Sequence, residues 1–394
     1  MRLFPPQPRS RFSTSWRGYA LHAVLFLLTL LTTTLAGSEL VSGQWWLSGM
    51  SWERFLLGLP YSLSFLAFLT VHEFGHYFTA RYHRVHATLP YYIPILLPFP
   101  GILNIGSLGA VIALRQQPES NVKYFDIGIA GPLAGFAVSV ALLAYGLTHL
   151  PDPQASILRI HPEYLELFGG VPTQAQLAAD PSFSGAVLAV GSSLLFEGLK
   201  WLLVDDPAML PPAFELMHNP YLFVGYITLF FTALNLLPIG QLDGGHITYG
   251  MFGSKWAGRI ARVTVVLLLL IGGTGLMTLR PDGTSAWLSM MAYALFAGYV
   301  LNRVLGPAAP LPLLLSCWLL LLLAQAIAKT LLPGLQVNLI WLVYALAAVR
   351  LIGIDHPRAY FEPRLDPARM ALGWLAILIF ILCFTPSPLV ILGE

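Results

Sequence analysis

The stretch LPYSLSFLAFLTVHEFGHYFTAR, residues 59–81, places the pattern H-E-x-x-H inside an apolar segment long enough to cross a bilayer. Residues four apart on a helix differ by only about 40° in direction, so His72 and His76 share one face and can bind one zinc ion. Glu73 lies beside the first imidazole, where it can act as a general base on the attacking water. Ionisable groups inside a membrane are costly, so these three predict a functional site.

The composition around this motif is that of a membrane protein. Of 394 residues, 56% are hydrophobic and 10% are charged, whereas soluble domains average about 25% charged residues. The net charge of +2 argues against nucleic acid as a partner. The two cysteines, Cys317 and Cys383, lie in apolar runs and are expected to be buried hydrophobic residues rather than ligands or a disulfide.

Nine apolar segments are predicted to be membrane-spanning helices, because each approaches the length of about 20 residues that a bilayer requires. Basic residues are more frequent in the loops on the side of the N-terminus, which the positive-inside rule places in the cytoplasm. The predicted spans are 18–36, 58–81, 125–148, 221–239, 261–279, 285–302, 310–329, 336–352 and 370–389.

Three further segments are not predicted to cross the membrane. Residues 88–120 begin with four helix-breaking prolines, and a glycine-rich apolar run follows, which predicts a small strand or hairpin lining the cavity of the protein. Residues 149–183 are predicted to form an external loop, and 184–204 an amphipathic helix on the outer membrane interface. The prolines are Pro90, Pro94, Pro98 and Pro100.

A second motif supplies a candidate third ligand, which a catalytic zinc site requires together with one open position. Residues 235–246 read NLLPIGQLDGGH, at the end of the fourth span. Pro238 is expected to end the helix, and Gly244 and Gly245 to allow a close turn that directs Asp243 inward. Spans two and four run in the same direction, so both motifs are predicted at similar depth.

The two motifs together, H-E-F-G-H at 72–76 and N-L-L-P-x-x-x-L-D-G-G at 235–245, resemble the site-2 protease family of intramembrane zinc metalloproteases. The stretch from Gly106 to Gly135 is also similar to that family, and the resemblance covers roughly residues 58–255. It implies that substrates are transmembrane proteins in the lipid bilayer, often cut first by an upstream protease. It further implies one zinc ion per chain bound by His72, His76 and Asp243, with Glu73 activating water and Asn235 polarising or holding the scissile carbonyl.

The predicted fold is an all-α polytopic membrane protein with about nine transmembrane helices around a three-helix metalloprotease core. Residues 1–57 hold a basic tail, the first span and an external loop, and 58–255 form the core, with the outer loop and interfacial helix at 149–220. Residues 256–394 form a five-span helical region. A bacterial inner membrane is expected, or an organelle membrane of bacterial origin, with the N-terminus and active site towards the cytoplasm.

Two other functions stay open. A proton or metal-ion transporter would use the intramembrane His and Glu, but it predicts polar residues spread over several spans. A catalytically silent scaffold usually lacks Glu73 or a ligand, and this chain has all of them. Among the other histidines, His246 is expected to be a neighbour of the site rather than a ligand. His161, His218 and His356 lie in loops or at span ends, where solvated or interfacial roles are expected.

Overall fold

A computed structural model describes residues 16–99, 103–180, 187–281 and 283–392. The predicted basic tail at 1–15 and Pro100 lie outside these residues. The described chain is mostly helical and contains two small antiparallel sheets. Its helices are α1 Trp16–Ser42, α2 Trp52–Leu57, α3 Leu59–Tyr82, α4 Asn121–Thr148, α5 Pro153–Ile160, α6 Glu163–Phe168, α7 Gln174–Ala179, α8 Leu194–Leu203, α9 Pro220–Asn235, α10 Asp243–Gly273, α11 Gly283–Leu305, α12 Leu311–Leu331, α13 Leu339–Ala347 and α14 Pro367–Cys383, and its strands are β1 Tyr91–Pro94, β2 Ser107–Val111, β3 Val187–Val190 and β4 Leu389–Leu392.

Each of the nine predicted spans overlaps a helix. Among the described residues, six helical segments are long and apolar enough to cross a membrane: Trp16–Ser42, Trp52–Tyr82, Asn121–Thr148, Asp243–Leu276, Gly283–Leu305 and Leu311–Leu331. The helices in the other three predicted spans are apolar but shorter, at Pro220–Asn235, Leu339–Ile352 and Pro367–Cys383. The membrane character of the chain is therefore clear, while the number of nine crossings stays a prediction.

Helix α10 begins much earlier than the sequence suggests. The fifth span was predicted at 261–279, but α10 starts at Asp243 and bends at Gly253, whose φ of 73° is left-handed. Gly244 and Gly245, expected to allow a close turn, themselves lie in the first turn of α10. They are needed for close packing: a Cβ on Gly244 would lie 2.0 Å from the carbonyl oxygen of Leu236. The start of α10 can therefore fold back against the end of α9.

The predicted hairpin within 88–120 is present. Strands β1 and β2 pair in antiparallel fashion, with Tyr91 opposite Val111 and Tyr92 opposite Ala110. The register shifts between Tyr92 and Pro94, where proline removes a backbone donor from the ladder. An isolated antiparallel bridge between Ala87 and Leu114 extends this pairing beyond the two strands. Strand β2 and the residues after it thus run beside α3.

The outer region between α4 and α9 is more ordered than predicted. Three short helices, α5 to α7, occupy the predicted loop and bury Ile157, Tyr164 and Leu177 in a small apolar cluster. The helix predicted at 184–204 is wrong for residues 187–190, which form β3 and pair with β4 near the C-terminus. Residues 184–186 lie outside the described chain, and the helical part is α8, 194–203. A strand partner some two hundred residues away leaves no local sequence pattern.

Helix α4 lies at the centre of the bundle that contains the H-E-x-x-H helix. It packs against α3, α9 and α10, and buried Phe65, Phe125, Leu143 and Leu222 fill the spaces between these helices. Small residues let membrane helices approach closely. The G-x-x-x-G pair Gly131 and Gly135 lies on the α4 face that contacts the H-E-x-x-H helix. This packing brings the N-terminus of α10 to the imidazoles of α3.

Candidate metal centre

Three side chains from two distant helices meet at one point. The His72 and His76 Nε2 atoms are 3.1 Å apart, and they lie 3.5 Å and 3.4 Å from Oδ2 of Asp243, the first residue of α10. Tetrahedral ligands held about 2.0–2.2 Å from a zinc ion lie about 3.3 Å from one another. The triangle of donor atoms therefore has the dimensions that one zinc ion requires.

The orientation of the rings also fits a metal ion. His76 Nδ1 donates to the carbonyl oxygen of Ile127 over 2.7 Å, which leaves the Nε2 lone pair directed at the centre. Such a contact commonly fixes a metal-binding imidazole. The two rings are buried, at 4% and 6% exposure, and His72 Nδ1 makes no hydrogen bond to the described residues. Three lone-pair donors that converge in a buried site repel one another unless a cation lies between them.

Glycines on α4 make room for this arrangement. A Cβ on Gly131 would lie 2.0 Å from His76 Nε2, and one on Gly135 would lie 3.1 Å from His72 Nδ1. Glycines four residues apart are typical of close helix packing in membranes. The structure adds that the space left by the missing Cβ atoms is filled by the two imidazoles, so α4 forms one wall of the centre.

Glu73 and Asn235 face the same cavity, which has a volume of about 240 Å3. Glu73 is 6% exposed, and the backbone of Ile112 lies next to its carboxylate. Asn235 Nδ2, at the end of α9, is 3.4 Å from His72 Nε2. All five side chains singled out from the sequence therefore line one cavity, together with Ile112 and Gln241.

The sequence did not reveal His356 as a neighbour of the site. Its Nε2 atom is 2.6 Å from Nδ1 of His246, which lies in the first turn of α10. His356, expected to be solvated or interfacial, is 8% exposed and stacks on the Tyr249 ring at 4.1 Å. His246 lines the cavity without joining the donor triangle, in agreement with its predicted role. A lone histidine in a loop carries no signal that could have identified His356.

The chain is similar to several curated plant proteins. The probable zinc metalloprotease EGY1, chloroplastic, of Arabidopsis thaliana is 33% identical over 218 residues, which are 55% of this chain and 34% of that protein. The probable zinc metalloprotease EGY2, chloroplastic, of Arabidopsis thaliana is 27% identical over 254 residues, 64% of this chain and 37% of the relative. The probable zinc metalloprotease EGY2, chloroplastic, of Oryza sativa subsp. indica is 26% identical over 305 residues, which are 77% of this chain and 46% of that protein. The chain thus spans less than half the length of these relatives, and no solved structure matches it.

A family model gives a broader match than any single motif. The model of peptidase family M50 matches residues 60–278, which run from the start of α3 past the end of α10. This range contains the donor triangle, Glu73, Asn235 and the glycine pair of α4. The chain belongs to peptidase family M50, the site-2 protease family of zinc metalloproteases.

Proposed function

We propose that this protein is a zinc-dependent intramembrane endopeptidase that hydrolyses peptide bonds within transmembrane segments of other membrane proteins. The observation that carries the proposal is the triangle of His72, His76 and Asp243 beside Glu73, inside helices apolar enough to span a membrane. Family membership and the names of the relatives support hydrolysis of peptide bonds. The donor set of two imidazoles and a carboxylate suits zinc.

The side chains of the site divide the reaction between them. A bound zinc ion supplies a Lewis acid and lowers the pKa of water to about 7. His72, His76 and Asp243 would hold the ion. Glu73 accepts the proton of the attacking water and passes it to the leaving amine. Asn235 donates a hydrogen bond to the scissile carbonyl oxygen as negative charge develops on it.

The extended segment that follows β2, residues 112–115, lies beside Glu73 and offers a place for an unwound substrate. Ala113 accepts from Thr88 and Arg115 donates to His86, so these peptide groups face the 86–88 segment. Peptide groups alternate in direction along a strand, so those of Ile112 and Leu114 face the other way, and both residues line the cavity. A substrate strand paired there would regain the backbone hydrogen bonds lost on unwinding, which hydrocarbon cannot replace.

Cross-linking tests this docking edge. In a chain with Cys317→Ala and Cys383→Ala, Val111→Cys should form a disulfide with a substrate cysteine placed near the scissile bond. Val111 is 51% exposed, and Leu320→Cys on α12, where the side chain is 66% exposed, serves as the control. We expect a high yield at 111 that an unlabelled substrate competes away, and a background yield at 320. Equal yields at the two positions would contradict docking along β2.

Zinc content measured together with proteolysis tests the proposed function as a whole. The purified full-length protein should contain zinc and cleave a membrane substrate reconstituted in the same vesicles. Chelation should abolish cleavage, and added zinc should restore it. A transporter would instead move ions or protons without producing fragments, and a silent scaffold would bind zinc and substrate with no cleavage. Either of these results would replace the peptidase proposal.

The remaining proposals concern the setting of the enzyme. We place the three shorter apolar helices across the membrane as well, which gives nine crossings in total. These are α1, the three core helices α3, α4 and α9, and the five spans of the C-terminal region. The N-terminus and active site would face the cytoplasm, or the corresponding side of an organelle. The relatives are named as chloroplastic. This supports an organelle membrane of bacterial origin as an alternative to a bacterial inner membrane. We expect substrates to be shortened first by another protease.

A further inference from the structure

A second group of possible ligands lies in the outer region, away from the proposed active site. His161 Nε2 and His218 Nε2 are 3.2 Å apart. Glu215 Oε2 lies 3.3 Å from His218 Nε2 and 3.8 Å from His161 Nε2. Within the described residues, this group and the triangle around Asp243 are the two sets of three such side chains whose donor atoms lie close enough to share one ion.

Both imidazoles are held with the same ring nitrogen towards the centre. His161 Nδ1 donates to Oε1 of Glu163 over 2.9 Å, and His218 Nδ1 donates to the carbonyl oxygen of Leu40. These acceptors place the protons on Nδ1, so the two Nε2 lone pairs face each other. Partners of this kind, a carboxylate and a backbone carbonyl, commonly orient metal-binding histidines.

Glu215 completes the group with an oxygen that lacks any other role. Its side chain is 2% exposed, and Oε1 accepts a hydrogen bond from Tyr164 at 3.0 Å. Oε2 is buried, makes no hydrogen bond to the described residues and faces the two imidazoles. Buried polar atoms in native proteins are almost always satisfied, so an orphaned carboxylate oxygen among lone-pair donors points to a cation.

The group is well separated from the proposed active site. His218 lies just before α9, and Asn235 is the last residue of that 16-residue helix. At a rise of 1.5 Å per residue, the two ends of α9 are about 24 Å apart. His161 follows α5, and Leu40 lies near the end of α1, so the group connects the outer region to two membrane helices. Two cavities adjoin it and give an ion access from solvent.

We propose that His161, Glu215 and His218 form a second metal site, which binds one zinc ion and fastens the outer region to the ends of α1 and α9. Two imidazoles and one carboxylate are the ligands of a borderline metal such as zinc, whereas calcium and magnesium prefer all-oxygen sites. Three protein ligands leave a fourth position for water, on the side where His161 is 24% exposed. This site does not depend on the proposed peptidase activity.

Metal stoichiometry tests the second site directly. The full-length protein, purified in detergent with a tag free of histidine, should contain two zinc ions per chain by mass spectrometry of the metal. His72→Gln combined with His76→Gln should leave one, and Glu215→Gln should also leave one. All three changes together should leave none. His149→Gln, which alters an exposed histidine of the same outer region, should keep two.

Zinc titration of the His72→Gln, His76→Gln protein isolates the second site. X-ray absorption at the zinc edge should show two imidazoles and oxygen ligands, and Glu215→Gln should lower the affinity at least about tenfold. Glu163→Gln changes only the hydrogen-bond partner of His161. The Glu163 side chain is 48% exposed, so we expect the variant to fold. The change should weaken zinc binding about 10- to 100-fold. The proposal would be wrong if the His72→Gln, His76→Gln protein bound no zinc. It would also be wrong if adding Glu215→Gln or Glu163→Gln left the affinity unchanged, because the group would then be a polar network.

Discussion

Glu73→Gln is expected to lower the cleavage rate of a transmembrane substrate by at least about 10²-fold, because a positioned general base contributes about 10²–10⁴-fold to such a step. The amide keeps the size and burial of the side chain but cannot accept the proton of the attacking water. Glu73 is not one of the three donors of the metal centre, so the zinc content should stay unchanged. Initial rates and zinc content measured on the same preparation check both expectations.

The matched control for this change is Glu53→Gln, which removes an exposed carboxylate from α2 and should leave the rate as it is. Normal turnover by the Glu73 variant would rule out its role as the base. A variant that lost zinc together with activity would instead show that Glu73 supports the metal centre. In cells, membrane stubs that accumulate with the inactive variant would identify the natural substrates.

The second large effect concerns a residue with no side chain. Gly131→Ala should lower zinc affinity at the first site by at least about 10- to 100-fold, the range seen when groups that support metal ligands are lost. The added Cβ would lie 2.0 Å from His76 Nε2, a distance that forces the ring or the whole of α4 to move. Overpacking of this kind typically costs about 1–3 kcal/mol of stability. Zinc titration and thermal unfolding measure the two consequences separately.

Two other glycines provide the controls for Gly131. Gly198→Ala in α8 places its Cβ in open space and should leave zinc binding unchanged, since alanine also favours the helix. Gly135→Ala should have an intermediate effect, because its nearest neighbour, the Phe68 ring, lies at 2.9 Å. Full zinc occupancy in the Gly131 variant, at normal affinity, would show that α4 does not set the geometry of the centre.

Local patterns account for most of what could be predicted. The face shared by His72 and His76 follows from helical periodicity over one turn, and the membrane segments follow from their hydropathy. The hairpin at 88–120 follows from its prolines and glycines. The start of α10 at Asp243 could not be predicted in this way, because Gly244 and Gly245 disfavour a helix by propensity and are tolerated through close packing against the end of α9.

Pairings between distant parts of the chain were decided by the tertiary structure alone. The sequence by itself predicted an H-E-x-x-H helix in an apolar segment and, from the second motif and the family resemblance, Asp243 as its partner. The fold decided that Asp243 lies 3.4–3.5 Å from both imidazoles, that Gly131 makes room for one of them, and that His161 and His218 lie beside one buried carboxylate. Side-chain periodicity reports only on neighbours within a turn or a strand, whereas a metal site depends on where separate helices end in space.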